Sequence, residues 1–193
     1  MPYDPQKHHR RSIRLQGYDY TRAGAYFVTL VTHDRACLFG NVVNGVMQLN
    51  PWGNIAAQTW EWLATQYPYV DLDAWVIMPN HVHGILVITN APVGARRDAL
   101  PGHHDAPGPG PSAPVPTRRK PLGQLIGAFK TVSAKHINLS RATPGLPVWQ
   151  RNYYEHIIRD TVALARIRQY IANNPLKWAL GAENPTPSQR HAP

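Results

Sequence analysis

The stretch Trp75-Val76-Ile77-Met78-Pro79-Asn80-His81-Val82-His83-Gly84-Ile85-Leu86-Val87-Ile88 decides how the rest of the chain is read. Apolar residues run on either side of Pro79-Asn80, a turn-forming dipeptide, so two neighbouring strands are expected. Side chains alternate between the two faces of a strand. His81 and His83 therefore share one face, and Val82 points into the opposite layer. Two imidazoles side by side on a rigid strand supply half of a divalent-metal site. The pattern needs support from elsewhere. With ten histidines in 193 residues, chance alone gives an H-x-H in roughly one such chain of two.

Working outward, the strand pair extends over residues 70–78 and 81–89. Upstream, residues 25–32 (A-Y-F-V-T-L-V-T) are β-branched and aromatic and predict a strand. Gly40-Asn41 and Asn44-Gly45 bracket short apolar runs in the manner of a hairpin. Asn50-Pro51 supplies an N-cap and a first-turn proline for a helix that ends before Pro68. Its apolar set is Ile55, Ala56, Thr59, Trp60, Trp62 and Leu63, so the tryptophans read as core rather than as a base-stacking platform. Downstream, Leu122, Leu125, Ile126, Phe129 and Val132 follow helical spacing over residues 121–138. Residues 148–158 return to strand composition. Asp160 can cap a last helix over residues 161–173 with Leu164, Ile167 and Ile171 as its stripe.

Setting the hairpin aside, the order is strand, helix, strand, strand, helix, strand, helix. The first six elements predict an α+β fold of ferredoxin-like type: an antiparallel four-stranded sheet with two helices on one face. The histidine pair then lies on a central strand, and the last helix is an addition able to reach over it. We divide the chain into an N-terminal arm (1–17), one domain (18–178) and a tail (179–193). Residues 91–120 hold seven prolines and four glycines and read as a flexible insertion that cannot offset the entropy of folding.

Twenty Lys and Arg against eleven Asp and Glu give a formal charge of +9. That imbalance points to a polyanionic partner, nucleic acid first. Arg10, Arg11 and Arg14 in the arm, with Arg118, Arg119, Lys120 and Lys130 around the second helix, are the candidate phosphate contacts. The arm reads equally well as a solvated terminus. The one cysteine, Cys37, rules out an internal disulfide framework and suits a reducing cytoplasm. No run is long and apolar enough for a membrane span, and no apolar segment follows the basic N-terminus to make a secretory signal.

The last helix carries the rest of the candidate site. Tyr170 and Asn174 are spaced i and i+4, hence on one helix face. Asn174 precedes Pro175, so Asn173 competes with it. Two imidazoles and a carboxamide oxygen can hold Mg²⁺ or Mn²⁺ and leave positions open for substrate. Such an ion polarises a phosphate, and the Tyr170 oxygen is placed to attack it, giving a phosphotyrosine. Tyr153 and Tyr154 are rival nucleophiles, of which only one can face the active side of the sheet. Glu155 and His156 are candidates to assist proton transfer or to support the metal ligands.

Residues 75–83 resemble the motif strand of the single-tyrosine HUH transposases. Residues 11–20 (R-S-I-R-L-Q-G-Y-D-Y) and 24–29 (G-A-Y-F-V-T) resemble the opening of one branch, the REP-associated tyrosine transposases. Residues 148–156 (V-W-Q-R-N-Y-Y-E-H), then Tyr170-Ile171 and Asn174-Pro175, are similar to that branch's C-terminal half. The likeness runs over nearly all of residues 10–178 apart from the proline-rich insertion. It implies a ferredoxin-like HUH fold and metal-assisted cleavage of single-stranded DNA through a 5′-phosphotyrosine, at short hairpin repeats. Position by position it makes His81 and His83 metal ligands, Asn174 the third, and Tyr170 the nucleophile. The expected partner is single-stranded or hairpin DNA, in the cytoplasm with the nucleoid, with no organic cofactor and either one or two copies of the chain. A hairpin-binding protein that has lost turnover is the alternative. A zinc hydrolase built on H-x-H fits poorly, for want of a further His, Cys or carboxylate ligand.

Overall fold

Alternating apolar residues and capped helical stripes resolve, in the computed structural model, into six strands and four helices. It describes residues 15, 17–90 and 119–181. In chain order these are β1 (Gly24–Val31), β2 (Gly40–Val43), β3 (Val46–Leu49), α1 (Pro51–Gln66), β4 (Val70–Ile77), β5 (His81–Ile88), α2 (Leu122–Ser140), β6 (Tyr154–Ile158), α3 (Thr161–Ala172) and α4 (Asn174–Ala179). The main sheet has the order β4-β5-β1-β6 with every neighbour antiparallel. That is the expected α+β, ferredoxin-like arrangement, with β5 inside the sheet. The basic arm apart from Leu15 and Gly17, the insertion up to Arg118, and the tail beyond Gly181 lie outside the described residues. Arg10, Arg11, Arg14 and Arg118 lie there too.

Local chemistry sets the element ends. Asn50 caps α1 by accepting from the Gly53 N–H at 2.9 Å, with Pro51 in the first turn. Asp160 caps α3 by accepting from the Ala163 N–H at 2.7 Å. Asn44 and Gly45, at φ 51° and 75°, turn β2 into β3.

The two faces of the sheet are unlike. Tyr26, Val28, Leu30, Val82 and Leu86 point toward α1 and α2 and are fully buried. Trp60 of α1 and Phe129 of α2 meet edge to face over them, ring centres 5.3 Å apart. Gly84 lies directly beneath that indole: a Cβ there would come within 2.4 Å of Trp60 Cζ2. The strand carrying the histidines therefore has a glycine where the core presses on its backbone. On the opposite face Phe27, Ile85 and Ile158 meet Ile171 of α3, with Leu164 and Ile167 partly buried.

Two elements differ from the sequence reading. The expected strand over residues 148–158 is interrupted, and only Tyr154–Ile158 pairs with β1. Trp149 makes a single bridge to Thr32 and donates its indole N–H to Ser133 Oγ at 2.9 Å. Beyond it, Lys130 Nζ donates to the carbonyls of Gln150 (2.7 Å) and Asn152 (2.9 Å), bending the chain away before β6 begins. The last helix stops at Ala172. Asn173 caps it, and a new short helix, α4, starts at Asn174 because Pro175 suits a first turn and cannot continue an α-helix.

Candidate active site

β5 begins where β1 ends, and the register places Val31 beside His81 and Thr29 beside His83. Alternation puts both imidazoles on the α3 side of the sheet, buried, with ring centres 4.5 Å apart. Each ring is oriented from behind. Asn80 Nδ2 donates to the Arg35 carbonyl at 3.2 Å, which turns its oxygen toward His81 Nδ1 at 2.7 Å. His81 Nδ1 thus carries the proton, and its Nε2 lone pair faces Asn174 Oδ1 at 3.2 Å. Thr29 Oγ1 lies 2.8 Å from His83 Nδ1, and the Tyr170 hydroxyl lies 3.1 Å from His83 Nε2. Burial, and then the repulsion between the two rings when both are protonated, push the His83 pKa down to about 3. His83 is therefore neutral, the form a metal ligand requires.

The helix break that displaces α4 leaves the expected pairing intact. Tyr170 comes from the last turns of α3 and Asn174 from the first residue of α4, and both meet the histidine pair. Asn174 is fully buried. Asn173 is exposed and accepts from Gln169 Nε2 at 3.0 Å, so of the two carboxamides Asn174 is the one at the histidines. Trp178 of α4 closes the site from behind, its ring 5.8 Å from that of His81. Lys177 lies over the Tyr170 ring, Nζ 4.8 Å from its centre. Within this chain, Tyr170 and both histidines reach one site.

The donor set fits a divalent ion. His81 Nε2 and Asn174 Oδ1 present lone pairs to each other at 3.2 Å, an arrangement that a cation draws together. Among the described residues no group of three or more His, Cys, Asp and Glu gathers into a metal cluster. The set is neutral, two imidazoles and a carboxamide. A bound Mg²⁺ or Mn²⁺ would keep its full charge for substrate oxygens.

The other sequence-predicted residues separate sharply. Tyr154 pairs with Thr29 and lies on the site face, where it lines a cavity of about 500 Å³ with His81, His83 and Tyr170. Tyr153 packs into the α1–α2 core. Glu155 pairs with Val28, which puts its carboxylate on the opposite side of the sheet from the histidines; it cannot support them from there. His156 is on the site face beside Phe27, but exposed and farther along β6. Lys130 spends its ammonium on the Gln150 and Asn152 carbonyls, and burial lowers its pKa to about 8. Arg119 and Lys120 lie at the far end of the sheet. Arg119 donates to Asn90 Oδ1 at 3.1 Å beside a cavity of about 680 Å³, larger than the one at the histidines but remote from them. Lys120 Nζ reaches the Tyr67 hydroxyl at 3.4 Å.

A protein of Haemophilus influenzae, described only as uncharacterized, is 40% identical over 184 residues, which is 91% of this chain and 93% of that protein. This chain belongs to the family of that protein. No model of a known protein family matches the chain. Among solved structures, a REP-associated tyrosine transposase bound to a REP hairpin superposes with a TM-score of 0.53 at 18% identity, covering 85% of this chain and 73% of its own. The fold is thus that of this solved REP-associated tyrosine transposase, as the resemblance of residues 11–20, 24–29, 75–83 and 148–156, with Tyr170-Ile171 and Asn174-Pro175, implied.

Several residues of the site escape a reading of the sequence. Asn80 reads as a turn residue, although its place directly before His81 is a usable signal. Trp178 looks like the last residue of the domain, but it stands four after Asn174 on one helix face. Asp73 and Arg168 give no signal at all. They are 95 residues apart, and Arg168 Nε and Nη2 clamp both Asp73 oxygens at 2.7 and 2.5 Å, tying α3 to β4. The clamp falls at the irregularity in β4–β5 pairing between Leu72 and Trp75. The guanidinium holds the Asp73 carboxyl below its ordinary pKa. No helix among the described residues is long and apolar enough to cross a membrane.

Proposed function

We propose that this chain is a transposase-like enzyme that cuts and rejoins single-stranded DNA at hairpin repeats, with Tyr170 as nucleophile. One observation carries the reading: the Tyr170 hydroxyl, two oriented neutral-capable imidazoles and the Asn174 oxygen converge from distant parts of the chain onto one small volume. A tyrosine packed merely as core would have no need of that company. The solved transposase of the same fold is bound to a REP hairpin, and we extend that class of substrate to this chain.

His81, His83 and Asn174 would hold Mg²⁺ or Mn²⁺, which when bound supplies positive charge to the oxygens of the scissile phosphate. Asn80 and Thr29 fix the two rings with their Nδ1 atoms turned away, leaving Nε2 for ligation. The Asp73–Arg168 clamp sets the height of α3 above β5 and so aims the phenol. The Tyr170 oxygen attacks phosphorus, the P–O3′ bond breaks, and the 5′-phosphate remains on tyrosine. The phenolic proton reaches the departing 3′-oxygen through solvent, leaving a free 3′-hydroxyl. Attack of a 3′-hydroxyl on the phosphotyrosine reverses these changes and rejoins a strand.

The test is a denaturing gel with labelled hairpin DNA carrying single-stranded flanks, in Mg²⁺ or Mn²⁺. We expect a metal-dependent protein–DNA band that is absent with Tyr170→Phe. A band surviving that substitution would move the nucleophile to Tyr154, the other tyrosine on the site face. Tight hairpin binding with no covalent product in either metal would establish the non-catalytic binding protein instead.

A further inference from the structure

The cavity beside the histidines has a wall that bond cleavage does not use. Tyr154 stands on β6, an outer strand, directly across from Thr29, with its ring on the same face as His83. Phe27 meets it edge-on at 6.2 Å, and half of the tyrosine surface stays exposed. A single exposed aromatic is ordinary. This one faces the Tyr170 hydroxyl and both imidazoles across about 500 Å³, a volume in the range of small-molecule sites.

A cation stands on the margin of the same cavity. Arg35 lines it, and Asp34 and Arg35 both hold left-handed backbone, φ 52° and 55°, where non-glycine residues are strained. The Arg35 carbonyl is tied to Asn80, the residue that orients His81. The strained turn and the metal-ligand strand are thus one connected unit. An aromatic face, a cation and a nucleophile around one nucleotide-sized space suit an unpaired nucleotide. A base inside a duplex has no free face to offer, whereas an unpaired base stacks on an aromatic ring whatever its identity.

We propose that this cavity is a single-nucleotide subsite, in which the unpaired base next to the scissile phosphate stacks on Tyr154 and Arg35 contacts the backbone beside it. The inference rests on the strand-cleavage reading above. It assigns Tyr154 the choice of unpaired over paired DNA at the cut, and leaves recognition of hairpin sequence to other surfaces.

The experiment measures binding of full-length Tyr170→Phe protein to a labelled hairpin whose single-stranded flank carries one abasic residue, stepped position by position, in Mn²⁺. One position beside the cleavage point should weaken binding about 10- to 100-fold. Adding Tyr154→Ala should weaken the intact DNA by a similar factor and make the abasic residue at that position silent. Tyr154→Phe should retain affinity, and Tyr154→Leu, which keeps bulk without a flat ring, should behave as alanine. Arg35→Gln should weaken all these DNAs alike and lower the salt slope by about one. Abasic and Tyr154→Ala losses that simply multiply at every position would overturn the subsite. So would a Tyr154→Ala protein with unchanged DNA affinity but altered self-association, which would make the ring a contact between copies. Coupling at one position in a chain that forms no covalent product would sustain the subsite and sink the cleavage reading; no affinity for flanked hairpins would remove both.

Discussion

α2 and α3 lie on opposite sides of one sheet and are built to different ends. α2 buries Leu122, Leu125, Ile126, Phe129, Ser133 and Ile137, whereas among the residues of α3 only Ile171 is fully buried. The α2 side is mainly apolar packing around Trp60 and Phe129, with Thr59, Ser133 and Glu155 buried on the same side. The α3 side holds buried polar groups, His81, His83 and Asn174, and fixes its helix with an exposed ion pair. Stability therefore resides mainly on one face of β5 and the proposed chemistry on the other. Tyr170, the proposed nucleophile, is carried on the sparsely packed side and can shift relative to the histidines without cost to the core.

Cavity-forming substitutions give the largest contrast. Phe129→Ala should cost about 4 kcal/mol and lower Tm by roughly 8–16 °C in a chain of this size. Ile171→Ala, equally hidden but in a smaller cluster, should cost about 2 kcal/mol. Thermal melts of the two variants decide it. An Ile171→Ala loss as large as that of Phe129→Ala would make α3 part of the main core and dissolve the distinction between the faces.

Acid should find the α3 side first. The His83 pKa is about 3 in the folded chain, below the ordinary value of 6.5. Between those values the unfolded chain binds more protons than the folded one, so stability is complete above pH 6.5 and falls as pH drops. The slope approaches about 1.4 kcal/mol per unit. From pH 7 to pH 5 the metal-free protein should lose about 2 kcal/mol more than His83→Gln, read from urea midpoints. Equal losses would mean that the polar face carries no such burden.

Much of this contrast is legible in the sequence, and the illegible part has a physical pattern. H-x-H alternation places the two imidazoles on one face and Val82 on the other, and i, i+4 spacing points Tyr170 and Asn174 toward that pair, Tyr170 to His83 and Asn174 to His81. Both are local periodicities. The same alternation would have sorted Tyr154 from Glu155, but only once the start of β6 was known. Lys130 hides that start, because it bonds carbonyls twenty and twenty-two residues away in sequence. Trp149 hides it too, since a single bridge to Thr32 looks like strand composition. Asp73 and Arg168 are invisible for the same reason: an ion pair 95 residues apart leaves no period to read.

The smallest expected effect on stability tests what that ion pair is for. Exposed ion pairs contribute about 0–1 kcal/mol, and Arg168 is half exposed. Arg168→Met should therefore leave Tm within about 4 °C of the parent. The bidentate clamp nonetheless fixes how α3 sits on β4, two residues before Tyr170, and a displacement of about 1 Å in a reacting group can cost on the order of 100-fold in rate. Single-turnover formation of the protein–DNA band should slow by about 10-fold or more in Arg168→Met, with hairpin affinity unchanged. Arg168→Lys, which keeps the charge but loses the fork, should recover only part of the rate. If Arg168→Met instead melts early and cuts at the parental rate, the clamp belongs to the core. The sparse packing of α3 would then be rigid enough to aim the tyrosine without it.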